Sequence, residues 1–234
     1  MKQYRLTAPC RLEATISLPA SKSISNRALI IYALSGGKNM PSNLSDCDDT
    51  EVIINALRNM PEKIDIKAAG TAMRFMTAYL SVMEGTHILT GTERMKHRPI
   101  AILVDALRKL GANIEYVETE GYPPLRITGQ SLNGGLLEIP GHVSSQYISA
   151  LLMIAPMLKE GMTLHLLGDI ISRPYIDLTL WMMGEFGADA EWFSNDTIVV
   201  KPQPYKSRDY FIESDWSGAS YWYEMMALCA DKRS

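Results

Sequence analysis

Two stretches of this 234-residue chain repeat one another, and the repeat limits the folds open to it. "ILTGTERMKHRPIAILVDALRKLGANIEY" and "HLLGDIISRPYIDLTLWMMGEFGADAEW" both read strand, Gly, Arg-Pro, amphipathic helix, (Leu or Phe)-Gly-Ala, strand. Arg98-Pro99 matches Arg173-Pro174 at an offset of 75, and Gly111-Ala112 matches Gly187-Ala188 at 76. Those offsets exceed a solenoid repeat of roughly 20–50 residues, so they suit a duplicated α/β unit of several elements. "DDTEVIINALRNM" reads as an earlier, degraded copy.

Each unit also holds a second helix: "SKSISNRALIIYAL", "GTAMRFMTAYLSVM" and "SSQYISALLMIAPM". The last is apolar on almost every side, which predicts a buried body. Alternating or apolar runs such as "THILT", "LRIT", "TLHLL" and "TIVV" predict strands. The fold class is therefore α/β with three similar units, each contributing sheet and helix.

Composition excludes several roles. A net charge of -3 offers nothing global to nucleic acid or membrane. No apolar run reaches the roughly 18 residues of a membrane span. "MKQYRLTAPC" has no apolar signal core, so the expected location is cytoplasmic. Cys10, Cys47 and Cys229 then read as reduced thiols. His87, His97, His142 and His165 make no ligand pair, so no protein-held metal is expected. No GxxxxGK[ST] or GxGxxG motif marks a nucleotide site.

Three helix starts share one chemistry: Ser21-Lys22-Ser23, Ala69-Gly70-Thr71 and Ser144-Ser145-Gln146. Ser and Thr are good N-caps, so each start taken alone can be simple capping. The cations argue for more. A helix N-terminus repels cations by a few tenths to about 1 kcal/mol each. Yet Lys22 and Arg27 flank one start, with Ser23 and Arg27 on one face at i,i+4. Arg74 follows Gly70 by one turn, and Arg94, Lys96 and Arg98 precede Pro99, a residue suited to the first helical position. A bound anion outweighs the repulsion, so the pattern predicts a small-molecule site for several anionic groups. Asp48, Asp49 and Glu51 read as a solvated or capping cluster. Trp216, Tyr221, Trp222 and Tyr223 read as core aromatics, or as a helix face that further chain covers.

"SKSISNRALI", "AGTAMRF", "RMKHRPI", "YPPLRI", "SSQYISALLMIAP", "SRPYIDLTL" and "ESDWSGASY" occur in an order and spacing that resemble the 5-enolpyruvylshikimate-3-phosphate synthase family. The resemblance runs nearly the whole chain. It implies an α/β (α+β) enolpyruvyl transferase-like lobe of three βαβαββ units, an inside-out α/β barrel. Residues 9–210 would form the shikimate-3-phosphate-binding lobe. Segments 1–8 and 211–234 would belong to a second, largely absent lobe, making this chain an N-terminal portion. The implied reaction moves the enolpyruvyl group of phosphoenolpyruvate to the 5-hydroxyl of shikimate 3-phosphate and releases phosphate. It serves the shikimate pathway to chorismate and aromatic amino acids, with no cofactor and no metal.

By motif, the resemblance gives Lys22 contact with both substrates and a catalytic role. Ser23, Arg27, Ser144, Ser145, Ser172 and Tyr175 would hold shikimate 3-phosphate. Gln146 would lie between the substrates. Gly70, Thr71 and Arg98 would hold phosphoenolpyruvate, with Arg74 supporting that wall. Ala68 departs from the family's usual Asn, which implies a lost polar contact near that wall. The acid/base residues would lie in the second lobe, so the chain alone would be inactive. The alternatives are an isolated lobe that binds shikimate 3-phosphate without catalysis and a relative of the UDP-N-acetylglucosamine enolpyruvyl transferases. Against the latter, Ser23 follows Lys22 where that enzyme has Asn, and "GTERMKHRPI" has no Cys.

Overall fold

The computed structural model describes residues 13–229. Cys10 and segment 1–8, expected to belong to a second lobe, lie outside them. The repeat resolves into two complete βαβαββ units among the described residues. The first runs β1 (Lys63–Asp65), α3 (Gly70–Val82), β2 (Gly85–Thr90), α5 (Ala101–Lys109), β3 (Asn113–Tyr116) and β4 (Leu125–Gly129), with a short helix α4 (Glu93–Lys96) before α5. The second runs β5 (Gly135–Pro140), α6 (Ser145–Ile154), β6 (Met162–Leu167), α7 (Arg173–Glu185), β7 (Ala190–Trp192) and β8 (Thr197–Val200).

Both units fold into a four-stranded sheet of one topology, β1-β2-β4-β3 and β5-β6-β8-β7. The first two strands of each pair in parallel across a helix, and the remaining pairs are antiparallel. The third unit contributes α1 (Lys22–Leu34) and α2 (Asp48–Asn59). Among the described residues its strand-like contacts are two bridges, Ala20 with Ser214 and Ser42 with Phe211. Ile212, at the centre of the returning segment, is fully buried. Helix α8 (Trp216–Leu228) follows.

The Gly-Ala of the repeat has a local cause. Gly111 and Gly187 take left-handed φ of 101° and 82° just past α5 and α7. Ala112 and Ala188 donate back to Leu107 and Met183 at 2.9 and 3.0 Å, while Gly111 and Gly187 donate to Arg108 and Gly184. This is one C-terminal capping motif, used twice, at a backbone angle that glycine adopts without strain. The two Arg-Pro pairs differ. Arg173-Pro174 opens α7, as Pro favours. Pro99 lies outside its helix instead, because α5 starts at Ala101 with Ile100 as its N-cap. The intervening turn is taken by α4.

Helices α1, α3 and α6 form the centre, and the sheets lie outside them. Every residue of α6 except Gln146 is buried, and every residue of α3 except Val82. Hydroxyls inside α3 remain satisfied because Thr77 and Ser81 donate to the carbonyls of Met73 and Thr77, both at 2.7 Å. No described helix is long and apolar enough to cross a membrane.

Candidate anion site at converging helix N-termini

Ser21 caps α1, its hydroxyl accepting from the Ile24 amide at 3.4 Å. Lys22 and Ser23 occupy the first turn, with Arg27 one turn further. Arg27 is 3% exposed. Its Nε donates to Thr179 Oγ1 at 2.7 Å on α7, and Nη2 donates to Ser149 Oγ at 3.0 Å on α6. Nη1 donates to the Ser23 carbonyl at 2.9 Å, and the guanidinium lies 5.4 Å from the Phe75 ring centroid of α3. One side chain thus touches all three central helices and α7.

All of those acceptors are neutral. Among the described residues no carboxylate forms an ion pair with Lys22, Arg27, Arg74 or Arg98. Burial therefore pulls Arg27 from 12.5 down to about 10, with Tyr175 acting weakly the other way. Arg27 stays charged near neutral pH, and that depression corresponds to roughly 3 kcal/mol. A buried cation normally has a partner, and this arrangement favours an anionic one.

A second cationic edge adjoins the first. Arg74 of α3 is buried, donates to the carbonyls of Gly70 at 3.1 Å and Pro99 at 3.4 Å, and sits 5.6 Å from the Tyr147 ring centroid. The Tyr147 hydroxyl donates to the same Pro99 carbonyl at 2.7 Å. Arg98 rests against Gly70, its guanidinium filling the space that a Cβ there would need. Burial first, then Arg74 and Arg94, hold Arg98 below its ordinary value, as expected in a positive local field. Arg94, Arg98 and Ala68 line a small adjoining hollow of about 170 Å³. Lys96 is not part of this edge, since Glu93 and Glu118 hold it on the surface at 3.3 and 2.9 Å.

Lys22, Ser23, Arg27, Thr71, Ser144, Ser145, Gln146 and Tyr175 line one cleft of about 530 Å³. Three helix starts meet there. Ser144 caps α6 by accepting from the Gln146 amide at 3.4 Å, and Gln146 Nε2 donates to Thr71 Oγ1 at 3.2 Å, tying α6 to α3. Ser172 does not line the cleft. It is exposed, with a left-handed φ of 55° just before α7. A fourth start, that of α8, closes one side with Asp215, Ser217, Gly218 and Tyr221, and Asn26 forms part of the α1 wall. Of these five only Tyr221 was singled out from sequence, and there as a core or covered aromatic, although Asn26 and the α8 start lie inside motifs quoted above. Serine and asparagine at such positions read equally as caps. Ser149 and Thr179, which hold Arg27, also lie inside quoted motifs but were not singled out.

Among the described residues no group of three His, Cys, Asp or Glu is placed to hold a metal. Convergent amides, hydroxyls and unpaired cations suit the binding and orientation of phosphate and carboxylate groups side by side.

A family model described as EPSP synthase (3-phosphoshikimate 1-carboxyvinyltransferase) matches residues 6–66 and 59–232. A 3-phosphoshikimate 1-carboxyvinyltransferase of Bacteroides fragilis (strain ATCC 25285) is 64% identical over 226 residues, covering 97% of this chain and 55% of that protein. One from Mannheimia haemolytica is 41% identical over 261 residues, covering 97% and 60%. The chain thus spans little more than half the length of these relatives. The solved EPSP synthase from Acinetobacter baumannii shares the fold at a TM-score of 0.77 and 22% identity, over 90% of this chain and 51% of that one. The enolpyruvyl transferase NikO from Streptomyces tendae does so at 0.64 and 15%, over 91% and 54%.

Proposed function

This chain belongs to the EPSP synthase (3-phosphoshikimate 1-carboxyvinyltransferase) family, and from that premise we propose that it carries the shikimate-3-phosphate half of such an enzyme's site. The reaction joins the 5-hydroxyl oxygen of shikimate 3-phosphate to C2 of phosphoenolpyruvate. The hydroxyl gives up its proton and C3 gains one to become a methyl group in a tetrahedral intermediate, which then loses phosphate from C2 and a proton from that methyl to leave the enolpyruvyl ether.

The observation that carries the reading is Arg27, charged, buried and, among the described residues, without a carboxylate, at the wall of a cleft where helix N-termini meet. In this reading Ser23, Arg27, Ser144, Ser145 and Tyr175 hold shikimate 3-phosphate, with Ser172 approaching from the α7 start. Lys22 and Gln146 reach both substrates. Gly70, Thr71 and Arg98 take phosphoenolpyruvate, and Arg74 fixes the Gly70–Pro99 wall. These residues hold two anions side by side and offset their charge before reaction, which supplies proximity and electrostatic preorganisation. Residues 9–210 make this lobe, and α8 belongs with the second lobe that completes the acid/base machinery.

Binding of shikimate 3-phosphate to the 234-residue chain, followed calorimetrically, tests the reading. Phosphate release from both substrates is measured in parallel. Saturable binding without turnover is expected. Turnover by this chain alone removes the assignment of acid/base groups to a second lobe, and absent binding removes the site. The UDP-N-acetylglucosamine enolpyruvyl transferase reading is set aside, since the family model and the relatives named above are EPSP synthases.

A further inference from the structure

Among the described residues two buried side-chain atoms lack a hydrogen-bond partner, Asn26 Nδ2 and the Tyr116 hydroxyl. Only the first belongs to a residue lining the cleft. Asn26 is fully buried on α1, one turn beyond Lys22 and Ser23 and on their face. Its other amide atom is firmly held. Thr50 Oγ1, itself fully buried in the first turn of α2, donates to Asn26 Oδ1 at 2.7 Å. Cys47 Sγ lies 3.4 Å from the same Thr50 oxygen. With its proton committed to Asn26, Thr50 takes the thiol proton, and this chain of bonds orients the amide.

An amide donor buried without a partner is costly, because it has lost water and gained nothing in return. Such a group calls for a specific explanation in a folded protein. Here the explanation lies beside it, in a cleft whose wall carries Lys22, Ser23 and Arg27 and whose ligand is rich in acceptor oxygens. We propose that Asn26 is a further binding donor of this site: its amide N–H group is unpaired in the free cleft and pairs with an oxygen of the bound anion, with Thr50 as its positioning residue. The inference rests on the shikimate 3-phosphate reading above.

The test uses the 234-residue chain and isosteric replacements. In the double variant Asn26→Leu/Thr50→Val both the orphan donor and the hydroxyl aimed at the amide are removed. Replacing both partners by apolar groups of similar shape is close to neutral for folding. Its free-state Tm is expected to equal or exceed that of the parent, while its Kd for shikimate 3-phosphate, by calorimetry, rises at least tenfold. Asn26→Asp, which keeps the acceptor for Thr50 but puts a carboxylate in the donor's place, is expected to weaken binding further still. Thr50→Val alone is expected to weaken binding several-fold by releasing the amide. Unchanged affinity in the double variant overturns the proposal, as does parental affinity in Asn26→Asp. A clear fall in the free-state Tm of the double variant also overturns it, by making the amide a structural partner. If the parent itself binds no shikimate 3-phosphate, the reading of the cleft fails and the proposal fails with it. Binding by the parent with equal binding by the variants removes the proposal alone.

Discussion

At the scale of single residues, Arg27 is a charge adverse to the free fold that the proposed anion site would use. Its acceptors do not depend on it. Thr179 also donates to the Tyr175 carbonyl at 2.8 Å and contacts Ser149 Oγ at 2.8 Å. Arg27→Met removes an unpaired buried cation while leaving those groups partnered. Its Tm is therefore expected to match or exceed that of the parent. Binding of shikimate 3-phosphate is expected to weaken by at least tenfold, in keeping with the roughly 1.5–3 kcal/mol typical of a hydrogen bond to a charged group. A combined thermal melt and titration checks both arms, and a large loss of Tm with binding retained contradicts the account. Ser23 and Arg27 were legible in the sequence because they lie on one helix face, with Lys22 beside Ser23 at the helix start, where spacing alone decides adjacency. Ser149 and Thr179 were not, being 122 and 152 positions from Arg27.

At the scale of elements, close approach matters more than propensity. Gly129 ends β4 where α3 ends, and a Cβ there would overlap the backbone oxygens of Met83 and Leu80. Those atoms belong to backbone and cannot swing aside. Gly129→Ala is expected to destabilise the chain by roughly 2–4 kcal/mol, read from urea unfolding, because relief requires a shift of the whole helix against its sheet. An unchanged midpoint would show that α3 and β4 have room to part. The outer face of the second sheet carries a milder device. His165 lies 3.1 Å from Glu138 and 3.6 Å from Asp196. The Glu138 hydrogen bond, aided by Asp196, raises the His165 pKa above its ordinary value. The attraction is present below the unfolded pKa of about 6.5 and is lost as pH rises through the higher folded value. An NMR titration of His165 is expected to show a midpoint above that of a free histidine, moving down in Glu138→Gln. The Gly-Ala signal was legible at this scale because a C-terminal cap is local. The placement of Pro99 outside α5 was not, since the Gly70–Pro99 wall is set by Arg74 and Tyr147 from other helices.

At the scale of the molecule, α8 stands apart. Of its residues Ala219 alone is buried, while Trp216, Tyr221 and Tyr223 are 68%, 68% and 64% exposed. The reading of these aromatics as core is therefore corrected. They cluster on a helix that packs little against the lobe, and an apolar patch of this kind on a soluble surface favours association. Replacing Trp216, Tyr221 and Tyr223 together by Ser is expected to leave the thermal midpoint of the lobe nearly unchanged. It should reduce self-association in sedimentation velocity at high protein concentration. A large loss of Tm would mean that these rings support the lobe after all. The segment before α8 behaves oppositely. Ser21 donates to the Glu213 carbonyl at 2.9 Å and Asp215 to that of Pro19 at 2.8 Å, so the returning chain is stitched to the start of α1. That stitch brings the α8 N-terminus to the cleft.

The sequence alone determined what depends on near neighbours: the duplicated unit, its strands and helices, the glycine caps, and the cations set at helix starts. Periodicity and capping act over a few residues, so they can be read along the chain. Only the tertiary structure decided which helix starts share a cleft, that Arg27 is buried with no counter-charge among the described residues, that Asn26 has a spare donor, and that the last aromatics face outward. Each of these depends on which surfaces are removed from water together, and that is a property of packing between segments far apart in the chain.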